Sequence, residues 1–417
     1  MAQQDVPVWL FVSYGAGHVK ALLPVAQRVR ELGLARPVYL ALTSAAAAVR
    51  PTGIPVLGFK DVMTASDLRA RAWGEALADQ LAVQAAEREE SVAYLGLSYV
   101  DLEDRLGPEL AAENYDKYGR QAFLPLGVLQ RILQACRPAL VVATNSPRAE
   151  QAAIQTARSM GVPSVCLLDL LGIWERDLLA QADYANAVCV LNPGVRQFLI
   201  DAGRAPADVH VTGNPAFDTL ADPALKALGR HLRQQAGWCG LHVCLYAASP
   251  EPQSIPGVAG HGDPEWPRRI EQQLIALVSA NPTLALWVRR HPGDAAPEHL
   301  TRLAHPRIRV SGPDMPLHAC LHACDEVVVT VSTVGVEAHL AGKRVTQVRG
   351  SILDHLSPYL ALKLADRELT LAQLAHAWDT PVPAPDTTPL STSLLAETAT
   401  DCVVQVLQTV VRNHPAR

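Results

Sequence analysis

Apolar and polar positions follow two periods along this chain. Short continuous apolar runs, VPVWLFVS (6–13), RPVYLALT (36–43) and IPVLGF (54–59), read as strands buried on both faces, with the helical period of Val19–Leu32 between the first two. A βαβαβ order of this kind predicts a parallel, doubly wound sheet. Charged, helix-favouring sequence fills residues 67–134. The alternation then resumes with PALVVATN, a helix over Glu150–Met160, SVCLLD, a helix over Ile173–Ala182 and AVCVLN, and this half closes on VHVTGNPAFDTL (209–220).

A second half repeats the pattern. LHVCLYAAS (241–249) is a strand and a Pro/Gly-rich loop follows over 250–267. Next come a helix over Arg268–Ala280, strands LALWV and RIRVS, a helix over 316–324, strand EVVVTV, a helix over 334–341 and strand RVTQV. The expected fold class is α/β. Two Rossmann-like doubly wound domains should present the carboxyl ends of their strands to each other across a cleft, where ligands of such sheets bind. The expected domains are 1–225 for an acceptor, 226–380 for a nucleotide-sugar, and 381–417 as a linker and terminal helix packing back on the first.

Composition fits this picture. The 417 residues are 49% hydrophobic but only 5% aromatic, as strands rich in Val, Leu and Ala require. A net charge of −5 without long like-charge runs speaks against nucleic acid and for a small-molecule partner. The start MAQQDVPVWLFVSYG lacks a basic region followed by an apolar one, and no run approaches a membrane span, so the protein is expected in the cytoplasm, open to peripheral contact with a membrane. The eight cysteines sit mostly in apolar runs and read as small buried hydrophobes. HACLHAC (318–324) has two i,i+4 pairs, but these point about 160° apart on a helical wheel, so one ion could not take all four. No metal is expected.

Three segments carry candidate chemistry. In SYGAGHVKALLP, Gly15 and Gly17 stand where the first strand turns into the first helix, and His18 rides at the helix start. The dinucleotide fingerprint is not matched, because the third glycine is missing. In VVVTVSTVGVEAHLAGKRV (327–345), a buried strand ends at Ser332-Thr333. Gly335 follows, and Glu337 lies one turn into a helix, so hydroxyls and amides could hold phosphate while the carboxylate accepts from ribose hydroxyls. In WVRRHPGD (287–294), Arg289, Arg290 and His291 follow a core strand that Pro292 stops, giving charge that could neutralise phosphate. Ser249 and Asp169 also fall at predicted strand ends.

These segments resemble motifs of one superfamily. GAGHVKALLPVAQRVRELG looks like the opening of GT-B glycosyltransferases, particularly the lipid-linked N-acetylglucosaminyltransferase of peptidoglycan synthesis. In some inverting members the histidine at this place is the general base, which implies His18, with Asp169 as reserve base. VTGNPAFDTL, with Gly213, Asn214, Pro215 and Asp218, is similar to a segment of non-hydrolysing UDP-N-acetylglucosamine 2-epimerases. VSTVGVEAHLAGKRV resembles the nucleotide-sugar segment of GT-B enzymes of capsule, teichoic-acid and lipopolysaccharide synthesis. His291-Pro292 with Ser332-Thr333 is similar to a pairing in transferases that use cytidine nucleotides. The epimerases' Asp-Ser-Gly-Gly-x-Gln-Glu-Glu is replaced here by Val331-Ser332-Thr333-Val334-Gly335-Val336-Glu337-Ala338.

The resemblance implies an inverting, metal-independent glycosyltransferase of bacterial surface glycan or glycoconjugate synthesis. It would use a CMP- or UDP-linked donor, a glycan, lipid-linked or protein acceptor, and no cofactor, the nucleotide-sugar being a substrate. His18 and Asp169 are the expected catalytic residues. Gly15, Gly17, Asn214, Ser249, Arg289, Arg290, His291, Pro292, Ser332, Thr333, Gly335 and Glu337 are expected on the nucleotide-sugar. The alternatives are a 2-epimerase-like isomerase and a non-catalytic sugar-nucleotide binding protein. Oligomeric state is left open.

Overall fold

The strands predicted from the apolar runs, joined by an unpredicted short edge strand at Arg367–Leu369, assemble into two wholly parallel sheets, described here from a computed structural model over residues 6–15, 17–42, 44–83, 87–255, 258–291, 305–312, 314–379 and 398–414. In the first sheet the strands are β1 (Val8–Ser13), β2 (Arg36–Ala41), β3 (Val56–Leu57), β4 (Leu140–Thr144), β5 (Ser164–Leu167), β6 (Ala187–Val190) and β7 (Val209–Val211), ordered β3-β2-β1-β4-β5-β6-β7. The second contains β8 (His242–Ala247), β9 (Leu284–Arg289), β10 (Ile308–Ser311), β11 (Glu326–Val329), β12 (Arg344–Val348) and β13 (Arg367–Leu369), ordered β10-β9-β8-β11-β12-β13. Strand order reverses between β1 and β4, and again between β8 and β11. Chain connections leave in opposite directions there, which opens a crevice at the carboxyl ends of the strands.

The chain divides into one unit of Met1–Ala216 with Glu397–Arg417 and another of Phe217–Ala396. This boundary precedes the expected 225/226. Helix Pro223–Gln235 packs on helix Leu317–Ala323 through Gly229, where a Cβ would stand 2.6 Å from His322 Cβ, so the connecting segment belongs to the second unit. The terminal helix Ala399–Asn413 packs on the first unit, burying Val403, Leu407 and Val410 with Leu22 and Val25 of helix Gly17–Glu31. Arg28 Nε donates to Asp401 Oδ1 at 2.7 Å across this contact. The helix expected over Ile173–Ala182 shrinks to one turn, Arg176–Leu179. Gly172 takes the left-handed φ of 63° against Leu168 and Leu179, which turns the chain before a longer helix could start.

Alternation along β1 feeds two layers. Trp9 and Phe11 join the core beneath helix Gly17–Glu31, while Leu10 and Val12, equally buried, point to the other face. In the second unit the amino edge of the sheet is tied by Glu326, which accepts from His242 Nε2 at 3.1 Å, Arg367 Nη2 at 2.7 Å and Trp378 Nε1 at 3.0 Å. Burial alone would raise its pKa, but His242, Arg367 and the Thr346 hydroxyl pull it down to about 2.

The helix-rich region between β3 and β4 begins with Leu68–Gln80 and Arg88–Leu106, which cross closely through glycines. A Cβ on Gly96 would lie 1.8 Å from the Ala70 carbonyl oxygen, and one on Gly74 would lie 2.1 Å from that of Val92. Gly96→Ala gains about 1 kcal/mol in helix propensity. The obstruction is backbone and cannot swing away, so a net loss of about 1–3 kcal/mol is expected. A lower urea midpoint with unchanged slope is the predicted observation, and an unchanged midpoint would show that the two helices can separate without cost.

Candidate functional site

The crevice of the first unit holds the histidine that the sequence singles out. After β1 the chain turns through Gly15, where a Cβ would lie 1.9 Å from Ser44 Oγ, so no larger residue fits without moving that loop. Helix Gly17–Glu31 begins two residues later and carries His18 at its second position. His18 leans across the β1–β4 reversal. Its Nδ1 is 3.0 Å from Thr144 Oγ1 at the end of β4, and its Nε2 is 3.7 Å from Asp169 Oδ2, two residues beyond β5. His18 and Asp169 keep 25% and 20% of their side chains exposed, enough to meet a ligand.

Asp169 is held by its own backbone. Its amide donates to Asn145 Oδ1 at 3.0 Å and its carbonyl accepts from Asn214 Nδ2 at 2.5 Å. The carboxylate lies 3.9 Å from where a Cβ on Gly17 would be, at a helix amino end whose aligned amides favour negative charge. Asn214 was expected on the nucleotide. The structure uses both ends of its amide internally, on Asp169 O and on the Ala216 amide at 2.9 Å, so it braces the Asp169 turn. Gly213 before it needs the left-handed φ of 77°. Burial and the nearby charge of Asp169 raise the Glu175 pKa, against hydrogen bonds from its own amide and from Asn145 that pull it down.

Two further residues of this crevice were missed as functional candidates. Thr144 is the last residue of β4, and Glu150 reads in sequence as an ordinary helix-start acid. Both are fully buried. Glu150 Oε1 accepts from the Tyr14 amide at 2.8 Å and from Thr144 Oγ1 at 3.5 Å, and burial pushes its pKa up to about 8. A Thr ending a strand and a Glu six residues later carry no sequence signal for such a pairing.

The second unit gathers several expected nucleotide residues around its own reversal. Ser249 lies two residues beyond β8, half-buried. Ser332 caps helix Thr333–Leu340, its Oγ accepting from the Val334 amide at 3.3 Å, and Thr333 is exposed beside it. Tyr359 closes over Gly335, where a Cβ would lie 3.0 Å from the ring, and its hydroxyl donates to Ser332 O at 2.6 Å. Glu337 is buried and paired, its Oε2 2.8 Å from His318 Nε2, while His318 Nδ1 is 3.1 Å from Thr219 Oγ1. The first histidine of HACLHAC thus orients the expected ribose carboxylate. The second, His322, turns its Nε2 to Leu220 O at 2.9 Å.

WVRRHPGD divides into different roles. Arg289 donates from Nη1 to Met315 O at 2.7 Å and Gly312 O at 3.2 Å, so it clasps the loop after β10 instead of reaching out for phosphate as expected. Arg290 is half-buried and its amide donates to Ser311 O at 3.1 Å, while His291 is exposed. Pro292 lies outside the described residues.

Comparison with solved structures gives this geometry a context. The UDP-GlcNAc 2-epimerase of Neisseria meningitidis, solved with UDP-GlcNAc bound, superposes with a TM-score of 0.56 at 12% identity, covering 96% of this chain and 100% of the other. The UDP-GlcNAc 2-epimerase of Methanocaldococcus jannaschii gives 0.56 at 10%, over 96% and 99%. The glycosyltransferase SnogD of Streptomyces nogalater gives 0.51 at 17%, over 97% and 99%. No family signature matches the sequence, and no curated protein matches it. The chain therefore has the two-fold α/β architecture expected of the GT-B group, which these epimerases and glycosyltransferases share. At such low identities the likeness is one of fold.

Glu150 makes stability depend on pH. Its carboxyl stays protonated in the folded chain up to about pH 8, but ionises near its ordinary 4.5 once unfolded. The unfolded chain therefore binds fewer protons between those values, and this group withdraws stability as pH rises through that window and no more above it. Denaturant titrations of Glu150→Gln from pH 5 to 8 should fall less steeply than those of the parent. Parallel curves would mean that Glu150 ionises alike in both states.

Proposed function

We propose that this chain is an inverting, metal-independent glycosyltransferase that moves a sugar from a nucleotide-sugar to an acceptor hydroxyl. The observation that carries the reading is His18, with Nδ1 engaged by Thr144 and Nε2 facing Asp169 at the β1–β4 reversal. A lone pair on Nε2 opposite a carboxylate is an arrangement that a hydroxyl donor would satisfy. The acceptor proton passes to Nε2, and Asp169 stabilises the imidazolium that forms. The acceptor oxygen attacks the anomeric carbon as the bond from that carbon to the nucleotide phosphate breaks. Charge on the departing phosphate is met by the Ser332–Thr333 helix end with Arg290 and His291, while Glu337, steadied by His318, accepts from the ribose.

The UDP-GlcNAc bound in the Neisseria meningitidis structure supports a uridine donor, and the His291-Pro292 resemblance keeps cytidine beside it. Acceptors of bacterial surface glycan or glycoconjugate synthesis, whether glycan, lipid-linked or protein, belong to the same reading. So does a cytoplasmic site of action with peripheral membrane contact. Among the described residues no helix is long and apolar enough to cross a membrane. The second reading, a UDP-GlcNAc 2-epimerase, is favoured by the superposed epimerases and opposed by the replacement of their acidic motif at 331–338.

Replacing His18 by Ala should lower transfer by about 10²–10⁴-fold, the usual share of general base catalysis. The rise in melting temperature given by the preferred nucleotide among UDP, CMP, CDP, GDP and dTDP should stay as in the parent. Transfer at the parental rate would remove His18 from the mechanism. His291→Ala should reduce the nucleotide-induced rise, and an undiminished rise would take His291 off the phosphate.

A further inference from the structure

Beneath His18 lies a buried carboxylate that the transfer chemistry above does not use. Glu150 Oε1 takes the Tyr14 amide at 2.8 Å and stands 3.5 Å from Thr144 Oγ1, which in turn stands 3.0 Å from His18 Nδ1. We infer that Glu150 and Thr144 are positioning residues that hold His18 in the Nδ1–H tautomer, so that Nε2 stays free to accept a proton. The catalytic consequence rests on the transferase reading, whereas the tautomer itself does not.

One hydrogen atom decides the tautomer. A threonine hydroxyl has a single hydrogen to give and two lone pairs. Thr144 is fully buried, and Glu150 Oε1 is the acceptor set before it. With its hydrogen directed there, the oxygen offers His18 only lone pairs, and the hydrogen between Nδ1 and Oγ1 must come from the imidazole. Protonation of Glu150 does not undo this, because the Tyr14 amide keeps Oε1 as the accepting oxygen and the carboxyl proton goes to Oε2. The relay therefore holds on both sides of the raised Glu150 pKa of about 8.

Without the relay the preference reverses. The Thr144 hydroxyl could turn its hydrogen to Nδ1, and Asp169 beside Nε2 would draw a hydrogen there, blocking the nitrogen that takes the acceptor proton. The other groups acting on Glu150 are its own amide and the Ser146 hydroxyl, which hydrogen-bond it, together with Arg148 and the phenols of Tyr14, Tyr39, Tyr94 and Tyr184. Burial raises the pKa of each of these phenols, so they remain neutral, and Arg148 stacks on the Tyr14 ring with its guanidinium carbon 4.1 Å from the centroid. Among the described residues Asp169 is the carboxyl group set against Nε2, and Glu150 through Thr144 is what opposes it from Nδ1.

The test is nitrogen NMR of the full chain carrying ¹⁵N-labelled histidine, at a pH where the His18 ring is neutral, with His18 assigned by its loss in His18→Ala. The parent should show a protonated Nδ1 and a bare Nε2. Thr144→Val, close in shape, and Glu150→Leu should both move the proton to Nε2, while Glu150→Gln, which keeps an oxygen for Tyr14 N and Thr144, should read as the parent. If Glu150→Leu does not fold, Thr144→Val decides alone. A parent already protonated at Nε2, or a Thr144→Val variant unchanged at Nδ1, overturns the inference.

In transfer assays Thr144→Val should lower kcat about 100-fold, near the low end of what a general base contributes, with donor KM unchanged. A tautomer that moves as expected in a chain without transferase activity would uphold the relay and refute the transferase reading instead.

Discussion

The structure around the proposed chemistry depends on one imidazole shared by two strand ends. His18 starts the helix after β1, Thr144 ends β4 and Asp169 follows β5, and the strand order brings all three to one edge. Connections diverge where the order reverses, so the backbone leaves a hollow there that side chains must line. Gly15 lets the first turn pass close to Ser44, and Asn214 and Asn145 tie down the Asp169 turn. The two faces of His18 are thereby given unlike partners, a neutral hydroxyl and a carboxylate. That asymmetry is what makes the ring suited to accept a proton in one direction.

The second unit treats its own reversal differently. A Ser-capped helix end, an exposed threonine and a buried glutamate held by His318 line the edge, a set of groups suited to phosphate and sugar hydroxyls. Charge in WVRRHPGD is divided between structure and surface. Arg289 holds the loop after β10, and His291 is left exposed.

Much of this was legible in the chain. Continuous apolar runs give most strands of both sheets, because strands covered on both faces are built largely from apolar residues, and Ser332 and His18 fall at strand-to-helix turns that sequence can locate. Partners distant in sequence were not legible. Nothing in a strand-ending Thr144 or a helix-start Glu150 shows that they meet under His18 across a gap of more than a hundred residues. Asn214 and Arg289 looked like ligands because unpaired polar side chains look alike in sequence, whether backbone carbonyls or a substrate will claim them. The shortening of Ile173–Ala182 to one turn follows from the left-handed Gly172, whose conformation periodicity cannot report.

Acceptor dependence tests the central claim most directly. Incubation of the purified chain with UDP- and CMP-linked sugars, followed by proton NMR with and without glycan acceptors, separates group transfer from isomerisation. Donor consumed only when an acceptor is present, with inverted anomeric configuration in the product, is the predicted result. A UDP-sugar epimerised at C2 without any acceptor would contradict the account and make the chain an isomerase on the same fold.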